Sequence, residues 1–217
     1  MQANFLLAVG ASIFAAVILR LNLWRALLFL RPSKVDVEQD SPADQMKLPE
    51  SLNAAASELR GLGFEPLGSR YEKAAISPAF ISFDYACARE HAYATLYPSR
   101  FGAARLYFLT PVEGGGFVLT ANFRRPSRKS GSSYLAGGLP NVPADRLLKA
   151  HQKRLEGLKP TESYSAQARL EAARAWLDGP GRGEIRQQNL NGLVSAGLAG
   201  VLFVMAAVAA VAIGLRL

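Results

Sequence analysis

Cys87, Glu90 and His91 fall within five residues, Cys-Ala-Arg-Glu-His, and bring the chain's single cysteine close in sequence to a carboxylate and an imidazole. A thiol attacks as its thiolate, so a cysteine nucleophile needs a base within hydrogen-bond reach. Four residues of extended chain would hold Cys87 and His91 about 13 Å apart. A catalytic dyad therefore requires a tight turn between them. Without one, the pair is a small buried cysteine and a strand-end histidine, and this is the preferred reading. The second histidine, His151, shares a helical face with Leu147, Leu148 and Leu155, which reads as a core or rim position. Two histidines and one cysteine do not readily assemble a structural zinc site. No phosphate-binding glycine loop, nucleophile elbow or HExxH motif occurs. The three glycines at 114–116 precede a strand rather than a helix, so they read as a hairpin turn. No cofactor and no metal are expected.

A different chemistry is written in Arg124, Arg125, Arg128 and Lys129, four cations in six residues around Pro126, followed by a run of small and polar residues. The charge is unevenly spread. Residues 34–120 hold 8 basic and 11 acidic side chains, residues 121–160 hold 9 and 2, and residues 161–188 hold 4 and 4. A lysine or arginine close to an anionic leaflet gains about 1 kcal/mol, and the attraction fades within a Debye length of about 8 Å. These four side chains are thus read as a mobile basic loop facing anionic lipid or an acidic partner. A solvated loop with no ligand explains the same composition. Nucleic acid is not expected, because the strand aromatics alternate as a core would and no RNA-binding signature is present.

The elements that position these residues begin and end in hydrocarbon. Residues 193–215 carry no charged side chain and are mostly apolar. About 20 such residues suffice to cross a bilayer as a helix. Residues 5–19 read as a first span, with Arg20 snorkelling to the headgroups and Trp24 near the interface. Residues 21–30 either lie on the surface or continue the helix. A cleaved signal peptide fits less well, since no cation precedes the apolar run. Arg20, Arg25, Arg31 and Lys34 follow the first span, and Arg182 and Arg186 precede the second. The positive-inside rule then puts the middle of the chain in the cytoplasm and both termini outside, in a plasma or inner membrane. The lone cysteine implies no oxidising compartment. Small residues recur every four positions in both spans, at Ala8, Ser12 and Ala16 and at Gly192, Ala196 and Gly200, a spacing that lets helices approach closely.

Five segments divide the chain: residues 1–33 as the first span with an interfacial stretch, 34–47 as a polar linker, 48–180 as a soluble domain, 181–191 as a joint and 192–217 as the second span. Within the domain, apolar spacing predicts a helix over 49–61. Alternating segments from Glu65 to Phe123 predict five antiparallel strands in a meander with one apolar face. Two further helices follow, the second closed by Gly179-Pro180-Gly181. The expected fold class is α+β, with one helix before the meander and two after it.

These features describe a membrane-anchored, non-catalytic binding or scaffold protein, an accessory subunit whose partners are the bilayer and a second membrane protein or a copy of itself. The alternatives are a membrane-tethered enzyme using Cys87 and His91, or a small-ligand sensor signalling through its spans.

Overall fold

An uncharged run satisfies its backbone most simply as a helix. In the computed structural model, which describes residues 2–32, 35–74, 80–99, 102–130 and 134–214, the first such run is one continuous helix, α1 (Gln2–Leu30). Residues 21–30 therefore continue the helix. After it come β1 (Val35–Pro42), α2 (Asn53–Gly61), β2 (Glu65–Ala74), β3 (Phe80–Cys87), β4 (Ala92–Pro98), β5 (Ala104–Val112) and β6 (Gly116–Ala121). The short β7 (Arg128–Ser130) and β8 (Tyr134–Gly138) precede α3 (Ala144–Leu155), α4 (Ala166–Asp178) and α5 (Gly181–Gly214). The two terminal helices belong to one compact unit, and residues 36–73 and 78–180 form another.

The fold is α+β, but its sheet has eight strands rather than five, in the order β1-β2-β3-β4-β5-β6-β8-β7. The meander is present, with antiparallel pairing from β2 through β6. Three additions escaped the pattern of alternation. β1 lies inside the stretch expected to be a linker: Val37 is buried, while Asp40 accepts a hydrogen bond from Ser69 (2.8 Å) and Glu38 one from Tyr71. Acidic side chains on an edge strand can face water, so polarity misled. β7 has three residues, too few to show a period, and pairs antiparallel with β8, which runs parallel to β6. The segment 124–130 is thus partly a sheet edge, not wholly a loop. Residues 181–191, expected to be a joint, are the first turns of α5.

Burial departs from the expected single apolar face. One side of the sheet packs Phe83, Tyr85, Leu96 and Phe108 against Leu52, Ala56 and Leu59 of the α2 region and Leu147 and Leu148 of α3. The other packs Tyr93, Leu109, Leu119 and Ala136 with Ala172 of α4. β4 and β6 are consequently buried on both faces. Gly68, at φ +125°, follows an irregularity in the β2–β3 register, and a side chain there would strike the Ser41 carbonyl of β1. Only glycine combines that backbone with so close an approach.

In the other unit α1 and α5 pack against each other. Most of their apolar surface points outward: Leu6 is 68 % exposed, Phe14 62 % and Met205 66 %. Both helices are long and apolar enough to cross a membrane.

Candidate functional site

The residues singled out from sequence are not brought together. Cys87 is buried in the cluster beneath α2 and α3. His91 ends the four-residue turn after β3, is exposed, and has φ +50°. Its ring lies 6.1 Å from that of Tyr164, which packs into the cluster on the α4 side. Thiol and imidazole thus face opposite sides of the sheet, and a turn that could have joined them does not. Glu90 is occupied by Arg89 (2.9 Å) and Gln152. Among the described residues, no group of three His, Cys, Asp or Glu side chains could hold a metal ion.

His151 has no solvent exposure and forms part of a directed chain of hydrogen bonds. Thr110 Oγ1 donates to the His91 carbonyl (2.5 Å), so it accepts from His151 Nε2 (2.9 Å). The neutral ring then accepts at Nδ1 from Thr120 (3.0 Å), and Thr120 accepts from Arg154 Nη1 (2.8 Å). Burial, and secondarily the charge of Arg154, lowers the His151 pKa to about 3. Both ring nitrogens are engaged and the ring stays neutral near pH 7. The arrangement joins β5, β6 and α3 and leaves the imidazole no lone pair for a substrate.

The opposite face holds a charged cluster that the sequence reading did not identify. Asp84, Thr95 and Tyr107 are direct cross-strand partners on β3, β4 and β5. Asp84 Oδ2 accepts from Arg70 Nε (2.6 Å), and Oδ1 accepts from Thr95 (2.6 Å). Arg169 of α4 closes over this row, with Nε 3.2 Å from Asp84 Oδ1 and Nη2 donating to Thr95 and Tyr107, both at 3.0 Å. Arg70 also reaches Tyr107 (2.8 Å) and Glu72. The side chains of Arg70 and Arg169 are 2 % exposed and that of Asp84 6 %.

Burial by itself would raise the Asp84 carboxyl. The guanidiniums of Arg169 and Arg70 and the bonds from Thr95 and Arg70 outweigh it and hold the group below the usual carboxylate range. Burial would likewise lower Arg70, but Asp84 foremost, then Tyr107 and Glu72, keep it well above its ordinary value. Two guanidiniums sharing one carboxylate bind four strands, β2 to β5, to one helix. The available signal was an aspartate in the middle of an aromatic strand. Local alternation puts it on the solvent-facing half of the strand, whereas α4 covers that face.

The four cations separate in role. Arg124 and Lys129 are exposed and Arg128 is half-buried. Arg125 lies over the Trp176 ring of α4 at 5.9 Å and donates to Tyr134 (3.4 Å). Burial lowers its pKa.

In the helix pair, Gly192 and Ala196 are buried and Gly200 is half-buried. A side chain at Gly192 would collide with Arg25, whereas one at Gly200 would meet open space. On α1, Ala8 and Ser12 are half-buried and Ser12 donates to the Ala8 carbonyl (2.9 Å). Ala16 is exposed and its neighbour Ala15 is buried.

Compared with known protein families, characterised proteins and solved structures, the chain matches none of them.

Proposed function

We propose that the chain is a membrane-anchored binding protein, a non-catalytic accessory subunit whose domain is held at the cytoplasmic side of a bilayer by α1 and α5. The observation that carries this reading is the outward-facing hydrocarbon of both terminal helices, with Leu7, Val17, Leu198 and Val208 each at least half exposed. In water this surface costs about 25 cal/mol per Å², and in lipid it costs nothing. A core helix would have buried it.

The reading of the domain as a binding module rests on the state of its reactive groups. Cys87 and His91 lie on opposite faces, and His151 has both nitrogens engaged. Arg124, Arg128 and Lys129 remain the cations on offer to anionic lipid or an acidic membrane-protein partner, and Arg125 is the member of the set that packs into the domain.

Two measurements test this. The first is extraction in mild detergent with identification of stoichiometric companions. Recovery of the full chain from the aqueous phase, without detergent, overturns the anchoring. The second is binding of the purified chain in detergent to immobilised anionic lipid. Replacing Arg124, Arg128 and Lys129 with Gln should weaken it in a salt-dependent way. Unchanged binding removes the basic segment from the interface.

A further inference from the structure

The two ends of the sheet differ in what they show to solvent. Antiparallel pairing brings the ends of β2 and β4 together with the starts of β3 and β5. β1 begins at that same end, since Glu38 meets Tyr71 and Asp40 meets Ser69. At the opposite end the turns expose Arg89, His91 and Glu113. At the first end Phe80 is 40 % exposed and Ile81 45 %, and among the described residues of 36–178 no other large hydrophobic side chain lies as open.

Phe80 continues into a strip of rings. It meets Tyr97 edge to face at 4.8 Å, and Tyr97 lies 6.0 Å from Phe123. Arg105, exposed and paired across the strands with Tyr97, sits over the Phe123 ring at 5.1 Å. Apolar rings edged by tyrosine and arginine suit the headgroup layer of a bilayer, where ring and stem leave water while hydroxyl and guanidinium stay in it. The charge at this end is mixed: Asp36 and Glu38 stand exposed, as do Lys73 and Arg105, while Glu72 is held by Arg70. Hydrocarbon rather than net charge is therefore the drive.

A separate observation points to what covers the strip. Both connections to the apolar helices leave from this end. β1 starts five residues after α1 ends, and five extended residues span at most about 18 Å. α4 starts beside the opposite end, where Tyr93 donates to the Ser163 carbonyl (2.7 Å). It closes beside this one, where Arg174 donates to the Val37 carbonyl (3.0 Å) and Trp176 lies under Arg125. α5 begins three residues after α4, a reach of at most about 11 Å. A nine-residue strand such as β5, about 30 Å long, separates the opposite turns from these tethers.

We infer that this end of the sheet is a further membrane contact, in which Phe80 and Ile81 enter the headgroup layer of the bilayer that holds α1 and α5, with Tyr97 and Arg105 at its polar margin. The inference rests on the anchoring proposed above but not on the basic segment.

The test uses the full chain at one copy per nanodisc of zwitterionic lipid, with Cys87→Ala and a fluorophore on Ile81→Cys or, as control, on Glu113→Cys. A nitroxide on the lipid headgroup should quench the first label and spare the second. Adding Phe80→Asp should relieve the quenching at position 81. If Cys87→Ala does not fold, the native thiol is kept, since it is buried, and the chain without an introduced cysteine supplies the blank. A chain that leaves the disc overturns the anchoring and this inference with it. A chain that stays, with the label at 81 quenched no more than that at 113, overturns this inference alone. Quenching that survives Phe80→Asp does the same. A label at 81 that responds only when two copies share a disc assigns the strip to self-association and is equally fatal.

Discussion

Asp84 and Arg169 face each other across the junction of sheet and helix, Oδ1 to Nε at 3.2 Å, and neither side chain is more than 6 % exposed. With Arg70 on the carboxylate's other oxygen, this places the cost of an error at one position. Asp84→Asn leaves Arg169 without its carboxylate and Arg70 with Glu72 alone. It should destabilise the domain by about 3–5 kcal/mol, read from denaturant unfolding in mild detergent. A cost below about 1 kcal/mol would mean that water reaches the guanidiniums.

The two faces of the sheet respond to acid in different windows. His151 is neutral and buried with a folded pKa of about 3, against an ordinary 6.5. The unfolded chain therefore binds a proton that the folded chain refuses. The stability present above pH 6.5 falls by about 1.4 kcal/mol per pH unit as pH drops toward 3. The Asp84 carboxyl, held low, adds its own loss only below its ordinary 3.8. Unfolding midpoints measured from pH 7 to 4.5 should slope in the wild type and flatten in His151→Gln. A parallel slope in both assigns the effect to other groups.

The contrast between these two sites shows what could be read from the sequence. The order of helices and the strands from β2 to β6 were legible, since each repeats its period over enough residues to be recognised. β7 was not, because three residues carry no period, nor was β1, whose acidic side chains obey edge chemistry rather than hydrophobic alternation. Asp84 and Arg169 were illegible as a pair. They are 85 positions apart, and each has an innocent local reading, as a strand's wet face and a helix's polar face. Only the placement of α4 on the second face of the sheet joins them. His151 was legible as a core residue from its leucine neighbours, but its threonine partners on β5 and β6 were not.

The basic segment should divide under single substitution. Arg125→Ala removes a guanidinium from the Trp176 ring and should lower stability by about 1–2 kcal/mol through lost stacking and packing. Arg124→Ala, at an exposed position, should stay within about 0.5 kcal/mol. In a Trp24→Phe background, Trp176 fluorescence reports the first and should ignore the second. Equal effects would contradict the separation.

In the helix pair, Gly192→Leu should prevent close packing against Arg25, whereas Gly200→Leu should be accommodated in open space. Disulfide trapping between cysteines introduced on α1 and α5 would measure this. Efficient trapping in Gly192→Leu would refute the close approach.

Cys87 should resist a water-soluble thiol reagent in the folded chain and react once denatured, as a buried thiol does. His91→Gly, at φ +50°, should be neutral or slightly stabilising, since glycine accepts that backbone without strain. Rapid labelling of the folded chain would reopen the thiol as a working group.

The packing of Arg25 on α1 against Gly192 on α5 has a consequence for the segment strung between them. While the two helices stay together, that segment, if it unravels, is a ring pinned at both ends instead of a chain with a loose tail. Closing a ring of roughly 165 residues strips the unravelled ensemble of about 5 kcal/mol of entropy. The helix pair therefore works as a non-covalent staple. Whatever prises it apart will loosen the sheet without ever touching it.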